Sequence, residues 1–137
     1  MIVLNKVVEI GSKKVGGSNP AFIIAEAGSN HNRNLQQAKK LIEVAADAGA
    51  DAVKFQLFTA ENLYVKTAGN ADYLKDNTSI YDIIKQMELP PEWIPELCDF
   101  SKQNNIIFLS SVTDENSTDL LEPYLPAYKI ASYEITH

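Results

Sequence analysis

Four polar or ionisable side chains stand inside segments that otherwise read as buried β-strands. In Asp51-Ala52-Val53-Lys54-Phe55-Gln56-Leu57-Phe58, Lys54 and Gln56 fall on one face of a two-residue alternation, and Val53, Phe55 and Leu57 on the other. In the apolar run Ala21 to Ala27, Glu26 shares a face with Phe22 and Ile24. In Ala127 to Ser132, Lys129 lies with Ala127 and Ala131, opposite Tyr128 and Ile130. A buried charge without a partner is costly, so each must be paired or must line a wet cavity. A Glu–Lys pair that only holds strands together could account for one such residue. Glu26, Lys54 and Lys129, each toward the C-terminal half of its strand, fit better to one shared mouth, where α/β barrels keep their active sites. Two lysines and a glutamate converging there suit an anionic substrate that needs charge neutralisation and proton transfer.

The elements that must position these residues form an alternating series. Ile2 to Ile10, the turn Gly11-Ser12-Lys13 and the exit Gly16-Gly17-Ser18-Asn19-Pro20 read as a small β-hairpin over residues 1–20. Residues 21–137 read as a partial (βα) barrel. After the strand Ala21 to Ala27, Asn34 can cap a helix faced by Leu35, Ala38, Leu41, Ile42, Ala45 and Ala46 and stopped by Gly49. Asp51 to Phe58 is the second strand. Thr59 to Thr78 has little periodicity, and loops of that length in compact domains are usually functional or disordered. A short helix follows, faced by Ile80, Ile83, Ile84 and Met87, then a longer one opened by Pro90-Pro91 and faced by Trp93, Ile94, Leu97 and Phe100. Ile106 to Val112 is the third strand, Asp114 caps a short helix reaching Tyr124, and Ala127 to Ser132 is the fourth strand.

Strands alternating with helices at this spacing predict an α/β fold with a parallel sheet of right-handed βαβ units. A closed (βα)8 TIM barrel needs about 250 residues, and this chain has 137. The expected architecture is therefore the N-terminal half of such a barrel, preceded by a short β-hairpin. A flavodoxin-like open sheet is the alternative. It would place helices on both faces and carry a phosphate-binding glycine loop after its first strand. Glu26-Ala27-Gly28-Ser29-Asn30-His31 holds one glycine and has neither a dinucleotide fingerprint nor a Walker loop.

Composition narrows the function classes. Apolar residues at 45% and charged residues at 22% are globular values that argue against disorder. A net charge of −6 disfavours nucleic acid or an anionic membrane as partner, while a small anion needs only a few well-placed cations. The one cysteine, Cys98, allows no intramolecular disulfide or cysteine-based zinc site and reads as inert core packing. There is no signal-peptide pattern and no apolar run near the ~18 residues of a membrane span, so the expected location is cytoplasmic.

Three segments carry a family resemblance. Ile23-Ile24-Ala25-Glu26-Ala27-Gly28-Ser29-Asn30-His31 resembles the first-strand motif of sialic acid synthases. Gly49-Ala50-Asp51-Ala52-Val53-Lys54-Phe55-Gln56 is similar to their second-strand motif, and Pro126-Ala127-Tyr128-Lys129-Ile130-Ala131-Ser132-Tyr133-Glu134 to their fourth. Similarity runs from near Asn5 to the end. The resemblance implies a barrel enzyme, followed by a small antifreeze-like domain, that condenses phosphoenolpyruvate with an N-acyl hexosamine-derived aldehyde such as N-acetylmannosamine. The product is a sialic acid-type nonulosonate, with phosphate released. By this resemblance Lys54, Lys129 and Ser132 would hold the phosphate or carboxylate of phosphoenolpyruvate, with Ser111 near the same anion. Gln56 and Asn77 would contact the sugar or order the long loop. Glu26 and Glu134 would handle sugar hydroxyls and proton transfer. The sequence departs from the family where Ser110-Ser111-Val112-Thr113 replaces Ser-Thr-Pro-Phe and Ser132-Tyr133-Glu134 replaces Ser-Gly-Glu, which leaves the sugar open.

The resemblance also implies a divalent cation, Mn or Mg, in the full-length parent, held by histidines of later strands. No metal ligand is assigned within this chain, His137 included. His31 either faces the active site or serves the turn after the first strand. The chain is expected to be part of a longer synthase, inactive alone, and a homo-oligomer (a dimer). Two other readings compete. One is a related phosphoenolpyruvate-dependent 3-deoxy-ulosonate synthase; the other is a non-catalytic half-barrel that binds a sugar or self-associates through open strand edges.

Overall fold

The computed structural model describes residues 6–70, 78–132 and 134–136, so Asn77 and His137 lie outside the described residues. Strands β1 (Val7–Ile10) and β2 (Lys13–Gly16) pair antiparallel with Ile10 opposite Lys13, which makes the expected hairpin. Lys13 Nζ lies 3.0 Å from Asp51 Oδ1, and Ile23 N donates to Asp51 Oδ2 at 2.8 Å. Asp51 thus fastens the hairpin beneath the N-terminal ends of the following sheet. The Ile23 amide, and then Lys13, hold its carboxyl below the ordinary range.

That sheet has four parallel strands in sequence order: β3 (Ile24–Gly28), β4 (Ala52–Gln56), β5 (Ile107–Val112) and β6 (Tyr128–Ile130). The first begins at Ile24 rather than Ala21, because the Ile23 amide is taken by the Asp51 side chain and not by a neighbouring strand. Helix α1 (Leu35–Asp47) is capped as expected, Gln37 N donating to Asn34 Oδ1 at 3.0 Å. It ends in a Schellman turn: Ala50 N donates to Ala45 O and Gly49 N to Ala46 O, with Gly49 at φ 76°. Helix α2 (Ala60–Leu63) is a single turn inside the long stretch that sequence periodicity left unassigned. Four residues are too few to hold a helix by propensity, and the Ala60 amide is satisfied by Glu88 Oε1 at 2.9 Å instead. Helices α3 (Ile80–Met87) and α4 (Ile94–Gln103) follow, α4 after a 3-10 turn at Pro91–Trp93. Helix α4 ends in the same turn as α1, Ile106 N donating to Ser101 O and Asn105 N to Lys102 O. Asn105 there has φ 55°, a conformation asparagine tolerates. Helix α5 (Glu115–Leu121) completes the set before β6.

The core lies on one face of the sheet. Ala38, Ile42 and Ala45 of α1, Ile94, Leu97 and Cys98 of α4, and Leu121 of α5 pack with Val53, Phe55, Phe108 and Val112 of the strands. The helices that pack on the sheet, α1, α4 and α5, share one face, and over strands in sequential order that is the arrangement of a barrel half and not of a doubly wound sheet. Cys98 is buried, its Sγ 3.7 Å from Tyr124 O, and burial pushes its thiol pKa up, which suits inert packing. No described helix is long and apolar enough to cross a membrane.

Asp114 joins two parts of this frame. It caps α5 through a reciprocal box, accepting from Ser117 N at 2.7 Å while Asp114 N donates to Ser117 Oγ, and its Oδ2 accepts from Asn62 of α2 at 2.9 Å. Burial raises the Asp114 pKa, but the hydrogen bonds from Asn62, Ser117 and Thr113 outweigh it and hold the carboxyl below the ordinary range. A depressed carboxylate adds stability that is fully present above its unfolded value, about 3.9, and is lost as pH falls through the folded value. Asp114→Asn should therefore reduce the wild type's loss of stability below about pH 4, read by urea denaturation across pH. Parallel pH dependences would remove Asp114 from the acid response. At neutral pH, Asp114→Ala should cost about 1 kcal/mol as a lost cap.

Candidate active-site cleft

Parallel register builds the site in rows. Gln56 pairs with Ser111, and Ser111 with Lys129. Residues level across parallel strands point to the same face, so these three form one row on the face without helices. Above it lies a cleft of about 700 Å³ at the C-terminal ends of the strands, lined by that row and by Ser132 and Glu134 from the segment after β6. Ser29, after β3, Asn62 of α2 and Thr113, after β5, complete the polar lining. Phe58, Leu63, Tyr64, Ile84 and Met87 make an apolar wall. The wall is tethered at both ends of α2. Glu88 Oε1 accepts from Ala60 N and lies 3.2 Å from Lys85 Nζ, its Oε2 is 3.6 Å from Arg33 Nη1, and Asn62 holds Asp114.

Five of the eight residues singled out from sequence, Gln56, Ser111, Lys129, Ser132 and Glu134, therefore share one cleft. Glu26 and Lys54 do not line it, which corrects the expectation that both meet Lys129 in one pocket. They are level with each other and with Leu109, one layer deeper on the same face, and their side chains pair at 2.5 Å. The cause is the two-residue repeat: stepping back from Gln56 to Lys54 keeps the face and lowers the layer. Lys54 is buried with a side chain 7% exposed, whereas that of Glu26 is 53% exposed. Asn77, the eighth residue, lies outside the described residues.

His31 is fully buried outside the cleft lining, and of its two readings the turn role fits. Its Nδ1 accepts from Arg33 N at 3.0 Å and its ring meets Trp93 edge-on at 6.0 Å. Burial, and then Arg33, lower its pKa, so the ring stays neutral near pH 7. Among the described residues no group of three His, Cys, Asp or Glu side chains could hold a metal ion, and Glu134 is the one carboxylate of the cleft lining. A divalent cation held by the described residues alone does not fit.

Residues that sequence reasoning missed are Ser29, Asn62, Thr113 and the apolar wall. Ser29 lay within the first-strand motif, but nothing in the residue order alone shows which row it joins. Asn62 and the wall depend on contacts between segments far apart in sequence.

The description "NeuB family" matches residues 41–137 of the chain. The spore coat polysaccharide biosynthesis protein SpsE of Bacillus subtilis is 50% identical over 131 residues, covering 94% of this chain and 35% of that protein. N,N'-diacetyllegionaminic acid synthase of Legionella pneumophila is 43% identical over 132 residues, covering 93% of this chain and 37% of that enzyme. The crystal structure of N-acetylneuraminic acid (sialic acid) synthetase from Leptospira borgpetersenii superposes with a TM-score of 0.81 at 33% identity, over 95% of this chain and 42% of that one. The chain thus spans about a third of the length of these curated relatives.

The unequal burial of the Glu26–Lys54 pair yields a test. Removing Glu26 leaves a buried ammonium without its counter-charge, while removing Lys54 leaves a carboxylate already half in solvent. Because one partner is exposed, the penalty falls below the roughly 3–5 kcal/mol of a fully buried pair. Glu26→Ala should cost about 1–2 kcal/mol more than Lys54→Met in urea denaturation. Equal losses would mean that Lys54 does not depend on Glu26.

Proposed function

The chain belongs to the NeuB family, and we propose that it represents part of a phosphoenolpyruvate-dependent synthase joining phosphoenolpyruvate to an N-acyl hexosamine-derived aldehyde. The product is a sialic acid-type nonulosonate. The observation that carries this reading is the row Gln56–Ser111–Lys129, with Ser132 and Glu134 around the same cleft. Relatives named as synthases of legionaminic and N-acetylneuraminic acids support the product class.

In this mechanism the Lys129 ammonium and the Ser111 and Ser132 hydroxyls hold the phosphate or carboxylate of phosphoenolpyruvate. Lys54, one layer deeper, supports the same anion from beneath as one half of its pair with Glu26. Carbon C3 of the enol attacks the aldehyde carbon of the open-chain sugar, water adds at C2, and phosphate leaves by C–O cleavage. Glu134 orders the water and moves protons around the reacting carbons, and Glu26 acts from beneath the cleft through its pair with Lys54. Gln56 and Asn77 contact the sugar or order the long loop. A Mn or Mg ion would supply Lewis acidity to the aldehyde, its donors lying beyond the described residues. The full-length protein acts in the cytoplasm as a homodimer. A second reading, a half-barrel that self-associates or binds a sugar without catalysis, is favoured by one feature: β3 and β6 are edge strands, with Ile24 43% and Ile130 47% exposed.

Two experiments decide. In the full-length protein, Lys129→Ala should lower kcat/KM for phosphoenolpyruvate by about tenfold or more, because it removes a charge-assisted contact worth about 1.5–3 kcal/mol. An unchanged kcat/KM in steady-state assays would refute the anion role of Lys129. The present chain purified alone should release no phosphate from phosphoenolpyruvate with N-acetylmannosamine and Mn. Stoichiometric, metal-dependent release, with full-length enzyme excluded, would overturn that expectation.

A further inference from the structure

The pairing of β3 with β4 contains a register shift. Glu26 is level with Lys54, yet Gly28 rather than Ala27 is level with the next residue, Phe55. Ala27 is therefore an extra residue, a β-bulge, which is rare between parallel strands and recurs where a side chain must be re-aimed beside an active site. Its effect follows from the two-residue alternation. Without the bulge Gly28 would stand level with Gln56, and the cleft row would end in a residue with no side chain. With it, Ala27 stays in the helix-side core and Ser29, just past Gly28, comes within hydrogen-bond reach of Gln56 beside the cleft.

The local geometry is built to hold this. Gly28 has φ 55°, a conformation that calls for glycine, and a Cβ there would press on Glu26 Oε1 at 3.2 Å. Asn30 clamps the turn from both its main chain and its side chain, N donating to Ala27 O at 3.1 Å and Nδ2 to the same oxygen at 2.9 Å. At the end of the construction the Ser29 hydroxyl donates to Gln56 Oε1 at 3.4 Å, and both residues line the cleft.

We infer that Ser29 is a positioning residue: it occupies the Gln56 carbonyl oxygen and so presents the Gln56 Nε2 donors to an oxygen acceptor of the substrate lying on the Ser111–Lys129 row. A free carboxamide can turn either its acceptor or its donors toward the cleft, and an acceptor beside an anion is repelled. With the Ser29 hydroxyl donating to Gln56 Oε1, the Nε2 donors are the side left to face the cleft. The inference rests on the proposed synthase reading for the substrate, but not for the contact itself.

The test combines kinetics in the full-length protein with side-chain amide NMR on the present chain. Ser29→Ala should lower kcat/KM with phosphoenolpyruvate and N-acyl sugar about three- to tenfold, the range set by one neutral hydrogen bond. Ser29→Thr, which keeps the hydroxyl, should recover most of it. In a Gln56→Ala background Ser29→Ala should have no further effect, since the residues act as one unit. Independently, the Gln56 side-chain amide resonances should shift in Ser29→Ala and stay near wild type in Ser29→Thr. Additive losses in the double variant, or amide resonances unmoved by Ser29→Ala, would overturn the assignment. A wild-type full-length protein inactive on these substrates, with the Gln56 amide still responding to Ser29, would instead refute the synthase reading and leave the positioning role standing.

Discussion

In-register parallel pairing of β4 with its neighbours is the constraint from which the rest of the site follows. Once Val53 and Phe55 are committed to the helices, Lys54 and Gln56 must face the other way. Register then extends each into a row, Gln56 with Ser111 and Lys129, Lys54 with Glu26 and Leu109. The upper row is polar and borders a cleft, and the lower is charged, buried on one side and closed by an ion pair. A single alternation thus produces a dry layer, a charge-compensated layer and a wet layer. Hydrophobic burial of the helix-facing side chains supplies the driving force, and the polar rows are carried by it.

The cleft's apolar wall depends on a different kind of interaction. Helix α2 has one turn, too short to stand by itself. It is held from below by Glu88, which also takes Lys85 and Arg33, and from the side by Asp114, which is also the cap of α5. Both carboxylates serve several donors, so the wall's position is tied to the ends of α3 and α5 and to the turn that follows β3.

Much of this was legible in the residue order, for reasons that differ by residue. Caps at Asn34 and Asp114 are local, set by side chains that bond amides three residues on, and so can be read from a short window. The faces of Lys54, Gln56 and Lys129 follow from period-two patterning and were equally readable. The layer assignment was not: whether Lys54 lines the cleft or sits beneath it depends on how far each strand extends past its neighbour. The Ala27 bulge is invisible for the same reason, since a register shift is a property of two strands together. Helix α2 escaped because its cap is Glu88, 28 residues away in sequence. Sequence period reveals faces; heights and clamps belong to the folded pairing.

The matched left-handed turns at Gly49 and Asn105 set an asymmetry in how this architecture can change length. Each lies a few residues before the strand it feeds, and the amides that follow are already committed: Asp51 N to Ile23 O, and Ile107 N to Asp51 O. One residue added or lost there would invert the next strand, sending Lys54 or Ser111 into the helix layer and Phe55 or Phe108 to the opposite face. After β4 the count is looser, and the segment between β4 and α3 already holds more than twenty residues. An insertion in that segment would lengthen the cleft's wall without changing the phase of any strand.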